Sequence, residues 1–316
     1  MGKISTFINL LKNNRKSIYT AFMQNFARSS ISRCIPDKLF LKMWYRARIG
    51  RKLDLNEPKA FNEKIQWLKL YDHNPIYPIL VDKYDVKQYI SDTIGKEYVI
   101  PTIGVWDRVE DIDFLSLPDQ FVLKCTHDSG STIVCKDKSK FNFDAAKEKL
   151  QYKLSKGMFW WGREWAYKVV KPRIICEKYI SDANDSSDPN DELTDYKFMC
   201  FNGKVKCTFT GTNRFKEGGL RVTFFDREWK RMPFIRHYPA ADEDIPKPVQ
   251  YEKMVELAEK LSAGIPFVRV DFYETCGKIY FGELTLYPGC GFEEFSPEEW
   301  DYRLGEWLVL PERKTR

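Results

Sequence analysis

The sequence predicts an α+β protein, because amphipathic helices and strand hairpins occupy separate stretches of the chain. Helical spacing of apolar residues is frequent early in the chain, with one face at Phe61, Ile65 and Leu68. Strand-like alternation dominates further on, where Asn202-Gly203 between two such runs is typical of a hairpin with a type I′ turn. The 316 residues suffice for one elaborate or two modest domains.

Charge and composition narrow the class of protein. Six of the 51 Lys and Arg residues fall in residues 1–36, which hold no acid, so the remainder is neutral with 45 basic and 45 acidic side chains. A neutral body argues against a nucleic-acid partner. The eight cysteines form no C-x-x-C pair and the three histidines are scattered, so we expect reduced cysteines, no zinc site and a cytoplasmic location.

Residues 1–36 carry the whole charge excess. Their apolar residues recur at near-helical spacing, and the longest early apolar run, Ile4 to Leu11, is too short to span a bilayer. The segment predicts a basic amphipathic helix with two interpretations. It makes peripheral contact with the anionic inner membrane surface, or its apolar stripe packs on the rest of the protein.

The most informative stretch is a predicted hairpin near the C-terminus. Phe267 to Glu274 and Ile279 to Leu286 alternate like strands, and Thr275 to Lys278 supplies a turn containing glycine. A loop with an odd number of residues would keep the odd-numbered side chains of both strands on one face. The residues expected on that face are Arg269, Asp271, Tyr273, Phe281, Glu283 and Thr285.

Asp271 and Glu283 would then lie opposite or diagonal to each other, with β-carbons about 5 to 8 Å apart. Two carboxylates at that distance repel each other unless a cation lies between them. Oxygen ligands from two acids, with room for water and phosphate oxygens, favour a Mg²⁺ site that holds a nucleoside triphosphate. The alternative is that one carboxylate pairs with Arg269 on a half-buried sheet.

Two lysines precede segments that can bind phosphate. Lys124 ends the strand Gln120 to Cys125, just before the hydroxyl-rich loop Thr126 to Ser131, whose amides can point at phosphate oxygens. Lys83 follows Asp82, a predicted helix N-cap. The alternatives are an ordinary hairpin at the loop and a solvated lysine at Lys83.

Three further segments each suggest a structural or functional interpretation. The aromatic run from 158 to 167 is either a stacking platform for a sugar or base or a packing cluster. The acidic stretch from 181 to 195 predicts a solvated loop between subdomains. Asp111-Ile112-Asp113 is a D-x-D sequence, which glycosyltransferases use to hold a metal, although it does not follow a predicted buried strand.

The order of these elements resembles the ATP-grasp superfamily, and in detail its TupA-like branch, over about residues 55 to 310. The segments that carry the resemblance are D-K at 82, F-V-L-K-C-T-H-D-S-G from 121, K-P-R-I-I-C-E-K-Y-I from 171, D-Y-K-F-M-C-F-N-G-K from 195, V-R-V-D-F from 268 and E-L-T-L-Y-P-G from 283. Each segment is short, and their shared order is the specific feature.

The resemblance implies an ATP-grasp fold, in which two α+β subdomains clasp ATP after a helical N-terminal segment. It also implies a role for each matching position. Lys124 and the loop residues His127, Ser129, Gly130 and Ser131 would contact phosphates, and Lys83 would be a second nucleotide contact. The residues that would line adenine and ribose are Glu177, Lys178, Tyr179 and Ile180. Lys197 and Arg269 would be the catalytic cations, and Asp271 and Glu283 would bind Mg²⁺, with Thr285 as a third ligand where the superfamily usually has Asn.

The implied domain organisation has four parts. Residues 1–50 form the N-terminal segment, 51–118 a helical part of the ATP-grasp region, 119–180 the subdomain with the phosphate loop, and 181–316 the subdomain with the metal site. The implied cofactors are ATP and Mg²⁺. The implied activity is an ADP-forming ligase that joins a carboxylate to an amine through an acyl-phosphate.

The branch resembles proteins of capsule or teichuronopeptide assembly. The implied partners are therefore a saccharide or uronic-acid acceptor, or a peptide carboxylate, and an amine co-substrate. The alternatives are a glycosyltransferase of polysaccharide assembly and a catalytically silent module that binds ATP or glycan.

Overall fold

The computed structural model describes residues 18–27, 29–181, 193–213 and 218–313. Residues 18–27 are helical. The helices after them are α1 (Asp37–Ile49), α2 (Phe61–Tyr71), α3 (Tyr77–Val81), α4 (Val86–Thr93), α5 (Phe143–Leu154), α6 (Phe159–Gly162), α7 (Tyr251–Leu261) and α8 (Glu299–Trp307). No helix in these ranges is long and apolar enough to cross a membrane.

The smaller of the two main sheets is antiparallel, with strand order β1-β4-β2-β3. Its strands are β1 (Thr102–Trp106), β2 (Phe121–Cys125), β3 (Ile133–Cys135) and β4 (Ile174–Lys178). Phe121, Leu123 and Cys176 form a small core on one face, together with Leu150 of α5. The opposite face of this sheet is left to carry polar residues. This sheet also includes β1, which precedes the subdomain boundary that we predicted at residue 119.

The larger sheet is antiparallel too, with strand order β10-β9-β5-β6-β7. Its strands are β5 (Asp195–Phe201), β6 (Lys204–Thr212), β7 (Arg221–Phe225), β9 (Phe267–Thr275) and β10 (Lys278–Thr285); β8 (Ile235–Arg236) pairs with β11 (Phe295–Ser296). Helix α7 covers one face, where the rings of Tyr251 and Phe198 lie 5.7 Å apart. The α+β prediction is confirmed.

Two hairpins of the larger sheet, β5–β6 and β9–β10, turn through two residues. Asn202 and Gly203 have φ values of 48° and 80°, which confirms the predicted type I′ turn. In the second hairpin Thr275 pairs with Lys278, so only two residues form the turn. Our prediction of an odd-numbered loop at this point is therefore wrong.

A β-bulge restores the alignment that the even loop would have lost. The register shifts at Gly282, between Phe281 and Glu283, and brings Glu283 directly opposite Asp271. Phe281 lies before the bulge, opposite Phe272 in the core, so its predicted place on the face of the acidic residues is wrong. A side chain at Gly282 would meet the carbonyl oxygen of Asp271 at 3.2 Å, which is why glycine suits this position.

The N-terminal helices close one end of the larger sheet. The ring of Phe61 on α2 lies 4.9 Å from that of Phe267 and 5.7 Å from that of Phe201. Helix α8 approaches the start of α2 so closely that a Cβ on Gly305 would lie 2.0 Å from the carbonyl oxygen of Lys59. These helices and the sheet therefore share one core.

The aromatic run from 158 to 167 belongs to the same packing. Trp161 meets Trp44 edge-on at 5.6 Å, and Trp165 stacks on His73 at 4.6 Å. This favours the packing interpretation over a stacking platform for a ligand.

Residues 18–27 also pack on the body. Met23 and Ala27 are buried, and the hydroxyl of Thr20 donates to the carbonyl of Ala47 at 2.7 Å. Ile18 and Phe22 point outward, and the Phe22 side chain is 58% exposed. One side of the predicted stripe therefore joins the core. The rest of that prediction, residues 1–17 and 28, and most of the predicted acidic loop, residues 182–192, lie outside the described residues.

Candidate active site

The polar face of the smaller sheet carries a carboxylate held by two lysines. Lys124 on β2 and Glu177 on β4 lie diagonally across neighbouring strands, and the Lys124 Nζ is 2.5 Å from Glu177 Oε2. Lys87 on α4 reaches the same carboxylate, with 2.5 Å from Nζ to Oε1. Burial by itself would raise the pKa of Glu177, but the two ammonium groups lower it below its usual value. The cluster keeps one positive charge in excess, which attracts anions.

Lys83 lies beside this cluster. Its backbone N–H donates to the carbonyl of Thr126 at 3.0 Å and its Nζ donates to the carbonyl of Asp128, so it is attached to the predicted phosphate loop. Burial lowers the pKa of Lys83, while the charge of Glu283 on the larger sheet raises it. Asp82 caps the turn before α4 as predicted, because its Oδ1 accepts the second and third backbone N–H groups that follow it, at 2.8 and 2.9 Å.

The loop from Thr126 to Ser131 is held both by its own side chains and by contacts with neighbouring segments. The Ser131 hydroxyl accepts a hydrogen bond from the Cys125 N–H at 2.8 Å and donates to Asp128 Oδ1 at 2.5 Å. His127 is buried, with Nε2 3.0 Å from the Lys156 carbonyl oxygen. Only the tip at 129–130 is exposed. A contact between phosphate and His127 or Ser131 remains a prediction, and the exposed tip residues Ser129 and Gly130 are better placed to make one.

The larger sheet brings the predicted catalytic and metal-binding residues into one row across its strands, which we call the acidic row. Directly paired positions run from Glu283 on β10 through Asp271 on β9 and Lys197 on β5 to Phe209 on β6. Side chains at paired positions share a face of the sheet. Four of the predicted residues therefore meet here, since Arg269 lies two residues from Asp271 on the same face.

The cation between the two acids is Arg269. Its Nε and Nη2 donate to the two oxygens of Asp271, both at 2.6 Å, and Nη2 also donates to Glu283. Lys197 donates to Asp271 at 2.5 Å and to Asp195. In the protein without ligands, Arg269 therefore pairs with both carboxylates. The alternative interpretation of the sequence predicted such a pair for one of them.

The acids differ in their surroundings. The Asp271 side chain is 1% exposed, and burial raises its pKa to about 6 although Arg269 and Lys197 act to lower it. The Glu283 side chain is 42% exposed. Burial would raise the pKa of Glu283, but Arg269, Lys197 and Lys83 together lower it to about 2. Glu283 is therefore the charged ligand that a cation meets first from the cleft.

These oxygen ligands suit an open Mg²⁺ site better than a site in which protein side chains fill the whole coordination shell. Arg269 and Thr285 both bond to Oε1 of Glu283, with Thr285 Oγ1 at 3.1 Å. Within the described ranges, no group of three or more His, Cys, Asp or Glu side chains is arranged to hold a metal ion. A cation would take oxygens of Asp271 and Glu283 and complete its shell with water or phosphate oxygens, as Mg²⁺ does.

A cavity of about 720 Å³ opens between the two sheets, within the usual size for a small-molecule site. It is lined by the predicted hinge residues Lys178, Tyr179 and Ile180 on one side and by the turn of the β9–β10 hairpin, including Tyr280, on the other. Tyr280 pairs with Tyr273, two residues after Asp271 on the same face, so the cavity ends about 7 Å along the strand from the acidic row.

Several contacts join the two sheets around this cavity. The Thr275 hydroxyl donates to the Ser181 carbonyl at 2.9 Å, which ties the hairpin to the end of the hinge. The pKa of Tyr273 is raised well above its usual value, first by the charge of Asp195 and by burial, and further by acids that include Glu283 and Glu177. Tyr273 therefore lies within electrostatic range of carboxylates on both sheets.

Sequence reasoning missed two members of these clusters. Lys87 lies four residues after Lys83, a spacing that puts both on one side of a helical turn. Asp195 lies two residues before Lys197 on β5, and hence on the same face. Both spacings are present in the sequence, but neither can be interpreted until the residue that each side chain contacts elsewhere in the fold is known.

The D-x-D sequence lies elsewhere. Asp111 is exposed and pairs with Arg108, with 2.5 Å between its Oδ1 and Nη2, and Asp113 accepts the Leu115 N–H at 3.1 Å within its own turn. Neither aspartate lines the cavity between the sheets.

Comparison with known proteins gives a family and several distant structural likenesses. The model of the TupA-like ATP-grasp family matches residues 63–309. D-alanine–D-alanine ligase from Bacillus anthracis is similar over 66% of this chain and 57% of its own, with 18% identity and a TM-score of 0.35. The Helicobacter pylori ligase of the same name shows 15% identity over 79% of this chain and 70% of its own, with a TM-score of 0.39.

D-cycloserine synthetase DcsG shows 18% identity over 74% of this chain and 70% of its own, with a TM-score of 0.38. No curated protein matches the chain. The chain spans little more than half the length of the Bacillus anthracis ligase. The family match covers most of the chain, including every residue of the acidic row and of the lysine cluster, and on that basis the chain belongs to the TupA-like ATP-grasp family.

Proposed function

We propose that the protein is an ATP-dependent, ADP-forming ligase that joins a carboxylate to an amine through an acyl-phosphate. The observation that carries this is the pair of opposed carboxylates, Asp271 and Glu283, with Arg269 between them. The lysine cluster lies near this pair, since Lys83 feels the charges of both Glu283 and Lys124, and a cavity of nucleotide size opens beside them. Membership of the family supports the same reading.

In this proposal the cavity holds adenine and ribose beside Tyr179 and Ile180, and the phosphates run toward the acidic row. Lys124, Lys87 and Lys83 supply positive charge from one side. Magnesium, held by Asp271 and Glu283, would supply further neutralisation of phosphate charge. The described part of the chain brings no Ser-His-Asp arrangement to this cleft, and phosphoryl transfer needs none.

The reaction has two steps. An oxygen of the substrate carboxylate forms a bond to the γ-phosphorus as the bond to the ADP oxygen breaks, and Arg269 and Lys197 stabilise the charge that develops. The amine nitrogen then bonds to the acyl carbon, and phosphate leaves with the electron pair of the broken bond. The ammonium form of the amine gives up two protons, one to the departing phosphate and one to water.

The substrates that we propose are a uronic-acid or peptide carboxylate and an amine, in the assembly of a cell-surface polysaccharide such as a capsule or a teichuronopeptide-like polymer. The resemblance of the sequence segments to the TupA-like branch motivates this choice. Carbohydrate carboxylates are bulky, which suits a cleft that is open at the exposed Glu283.

Nucleotide binding is tested by thermal-shift titration with ATP, ADP and a non-hydrolysable analogue in Mg²⁺. Mass action predicts a stabilisation of about 2.7 kcal/mol at a hundredfold excess over the dissociation constant. No shift with any of the three would remove the nucleotide site and the ligase with it.

The chemistry is tested with hydroxylamine. With ATP, Mg²⁺ and a uronic-acid acceptor, hydroxylamine is expected to convert the acyl-phosphate to a hydroxamate while ADP and phosphate form in equal amounts. AMP and pyrophosphate would indicate adenylation instead. Use of a sugar nucleotide would favour the glycosyltransferase, and ATP binding without turnover on a broad panel of acids and amines would favour the silent module.

We also propose that the N-terminal region touches the anionic inner membrane surface. Ile18, Phe22, Ile31 and Leu39 are exposed there, and the exposed cations Arg33, Lys38 and Lys42 accompany them. Apolar side chains ringed by basic ones are typical of helices that lie in the membrane interface.

Vesicle flotation measures this contact. Phe22→Ser combined with Ile31→Ser is expected to reduce binding to vesicles rich in anionic lipid and to leave the melting temperature unchanged. Leu115→Ser removes an even more exposed apolar side chain, remote from the N-terminal region in the chain, and serves as the control. Equal binding by both variants and the wild type would contradict the proposal.

A further inference from the structure

A second, smaller cavity lies on the other side of Arg269 and Lys197 from the nucleotide cavity. It has a volume of about 150 Å³, well below the roughly 300 Å³ at which pockets for drug-sized ligands begin. Its walls come from β6, β7 and β8 and from the loop after β10. Besides Lys197 and Arg269, its lining includes Phe209, Leu220, Val222, Phe224, Arg236 and Glu293.

One wall of this cavity holds an ion pair. Arg236 is 4% exposed, and its Nη2 lies 3.1 Å from Glu293 Oε2 and 2.7 Å from the Pro288 carbonyl oxygen. The Nε of Arg236 is buried and makes no hydrogen bond to any part of the chain that the structure describes. A buried donor without a partner costs free energy, so a ligand group that accepts its hydrogen bond would bind favourably.

The opposite wall is apolar. Phe209 and Phe224 stack within 4.7 Å of each other, and Val222 lies beside them on β7. The cavity thus offers a cation, a carboxylate and an apolar surface within a space too small for a sugar ring with substituents. These three features match the carboxylate, the ammonium group and the side chain of an α-amino acid.

We infer that this cavity binds a small α-amino acid with a compact apolar side chain, which supplies the amine of the ligation. This inference rests on the proposed function. The carboxylate of the amino acid bonds to Arg236, the ammonium group lies by Glu293, and the side chain packs on Phe209 and Val222. Because Lys197 and Arg269 line the same cavity, the amine lies next to the phosphate-transfer site.

Binding is measured by calorimetry on the full chain, with and without Mg²⁺ and a non-hydrolysable ATP analogue. The probes are glycine, alanine, serine and valine in both enantiomers where these exist, with propionate and ethylamine as partners of alanine that lack one charge each. We expect at least one amino acid to bind, and neither single-charge compound to bind at the same concentration. Propionate binding as tightly as alanine would overturn the amino-acid assignment.

Arg236→Gln is expected to weaken amino-acid binding about tenfold or more, as loss of a charged hydrogen bond commonly does. Arg231→Gln, on the neighbouring loop, bonds only outside the cavity and is the matched control. Because Arg236 also holds the Pro288 carbonyl, Leu220→Trp provides a second variant that fills the cavity and keeps the ion pair. Unchanged binding in both cavity variants would overturn the inference.

The same titrations separate this inference from the proposed function. If the ATP analogue still gives a heat of binding with Arg236→Gln and Leu220→Trp, the nucleotide site of these variants is intact. If the analogue binds and no amino acid does, the cavity inference fails alone. If the analogue does not bind to the wild type, the ligase proposal fails first.

Discussion

The smaller sheet holds one carboxylate between two lysines, whereas the larger sheet holds three acids against two cations. The first cluster is short of negative charge and the second is short of positive charge. A phosphate chain with a divalent cation corrects both deficits at once, because its oxygens satisfy the lysines and its metal satisfies the acids. The difference between the clusters therefore indicates the direction in which the nucleotide lies.

The two clusters also differ in what holds them. Glu177 is buried and both of its partners are lysines on long flexible stems, one from the sheet and one from α4. Asp271 and Glu283 sit on paired strands and are bridged by the planar guanidinium of Arg269. The lysine cluster can adjust to a ligand, and the acidic row presents a fixed geometry.

The largest expected effect breaks the acidic row. Asp271→Asn removes a buried charge that Arg269 and Lys197 both contact, and turnover should fall by at least about 10²- to 10³-fold, as for loss of one preorganised charge contact. Glu283→Gln should behave alike. The rate of ADP release is the measurement, with circular dichroism to verify folding.

Thr285→Ala is the matched control for these variants, because Thr285 contacts Glu283 but carries no charge. Its effect should be clearly smaller. A carboxylate variant that kept a near-normal rate at saturating Mg²⁺ would refute the metal assignment.

An effect of similar size, but on stability, is expected at the lysine cluster. Glu177→Gln leaves Lys124 and Lys87 together without their shared carboxylate, and breaking a buried pair in this way costs about 3 to 5 kcal/mol. Urea denaturation at neutral pH measures it. Lys87→Met, which keeps the pair of Lys124 and Glu177, should cost less.

The pH dependence gives a second test at the same residue. Because the pKa of Glu177 is lowered in the folded state, its contribution to stability is present above the usual Glu pKa and is lost as the pH falls through the folded value. The stability of Glu177→Gln should therefore fall less steeply on acidification than that of the wild type. Parallel curves would show that the pair does not contribute.

The smallest effect concerns the bulge that aligns the acidic row. A Cβ at Gly282 would lie 3.2 Å from both the Asp271 carbonyl oxygen and the Tyr273 ring, so Gly282→Ala should cost about 1 to 3 kcal/mol and weaken stabilisation by Mg-ATP. Gly157→Ala is the control, since its Cβ would meet only Trp160 at an ordinary 3.7 Å. Equal melting temperatures and equal ATP shifts for the two variants would count against a role for the bulge.

The sequence by itself determined the two hairpins that carry the acidic row and the turn of the first of them. Asn202-Gly203 defines its hairpin because type I′ turns need φ above zero at both positions. Asp271 and Arg269 share a face because side chains alternate along a strand, and Lys197 shares a face with Asp195 on β5 for the same reason. That the two pairs lie on one face of the sheet depends on how β5 pairs with β9. The order of the short motifs identified the family and therefore the fold.

Only the tertiary structure decided which charges meet. Nothing local indicates that Lys87 shares a carboxylate with Lys124, or that Arg236 pairs with Glu293 on a cavity wall, because these contacts join strands and helices far apart in the chain. The bulge at Gly282 escaped prediction for a related reason. A glycine in a strand is locally permissive, and it was the packing of Phe281 into the core together with the placing of Glu283 in the cleft that required the register to shift.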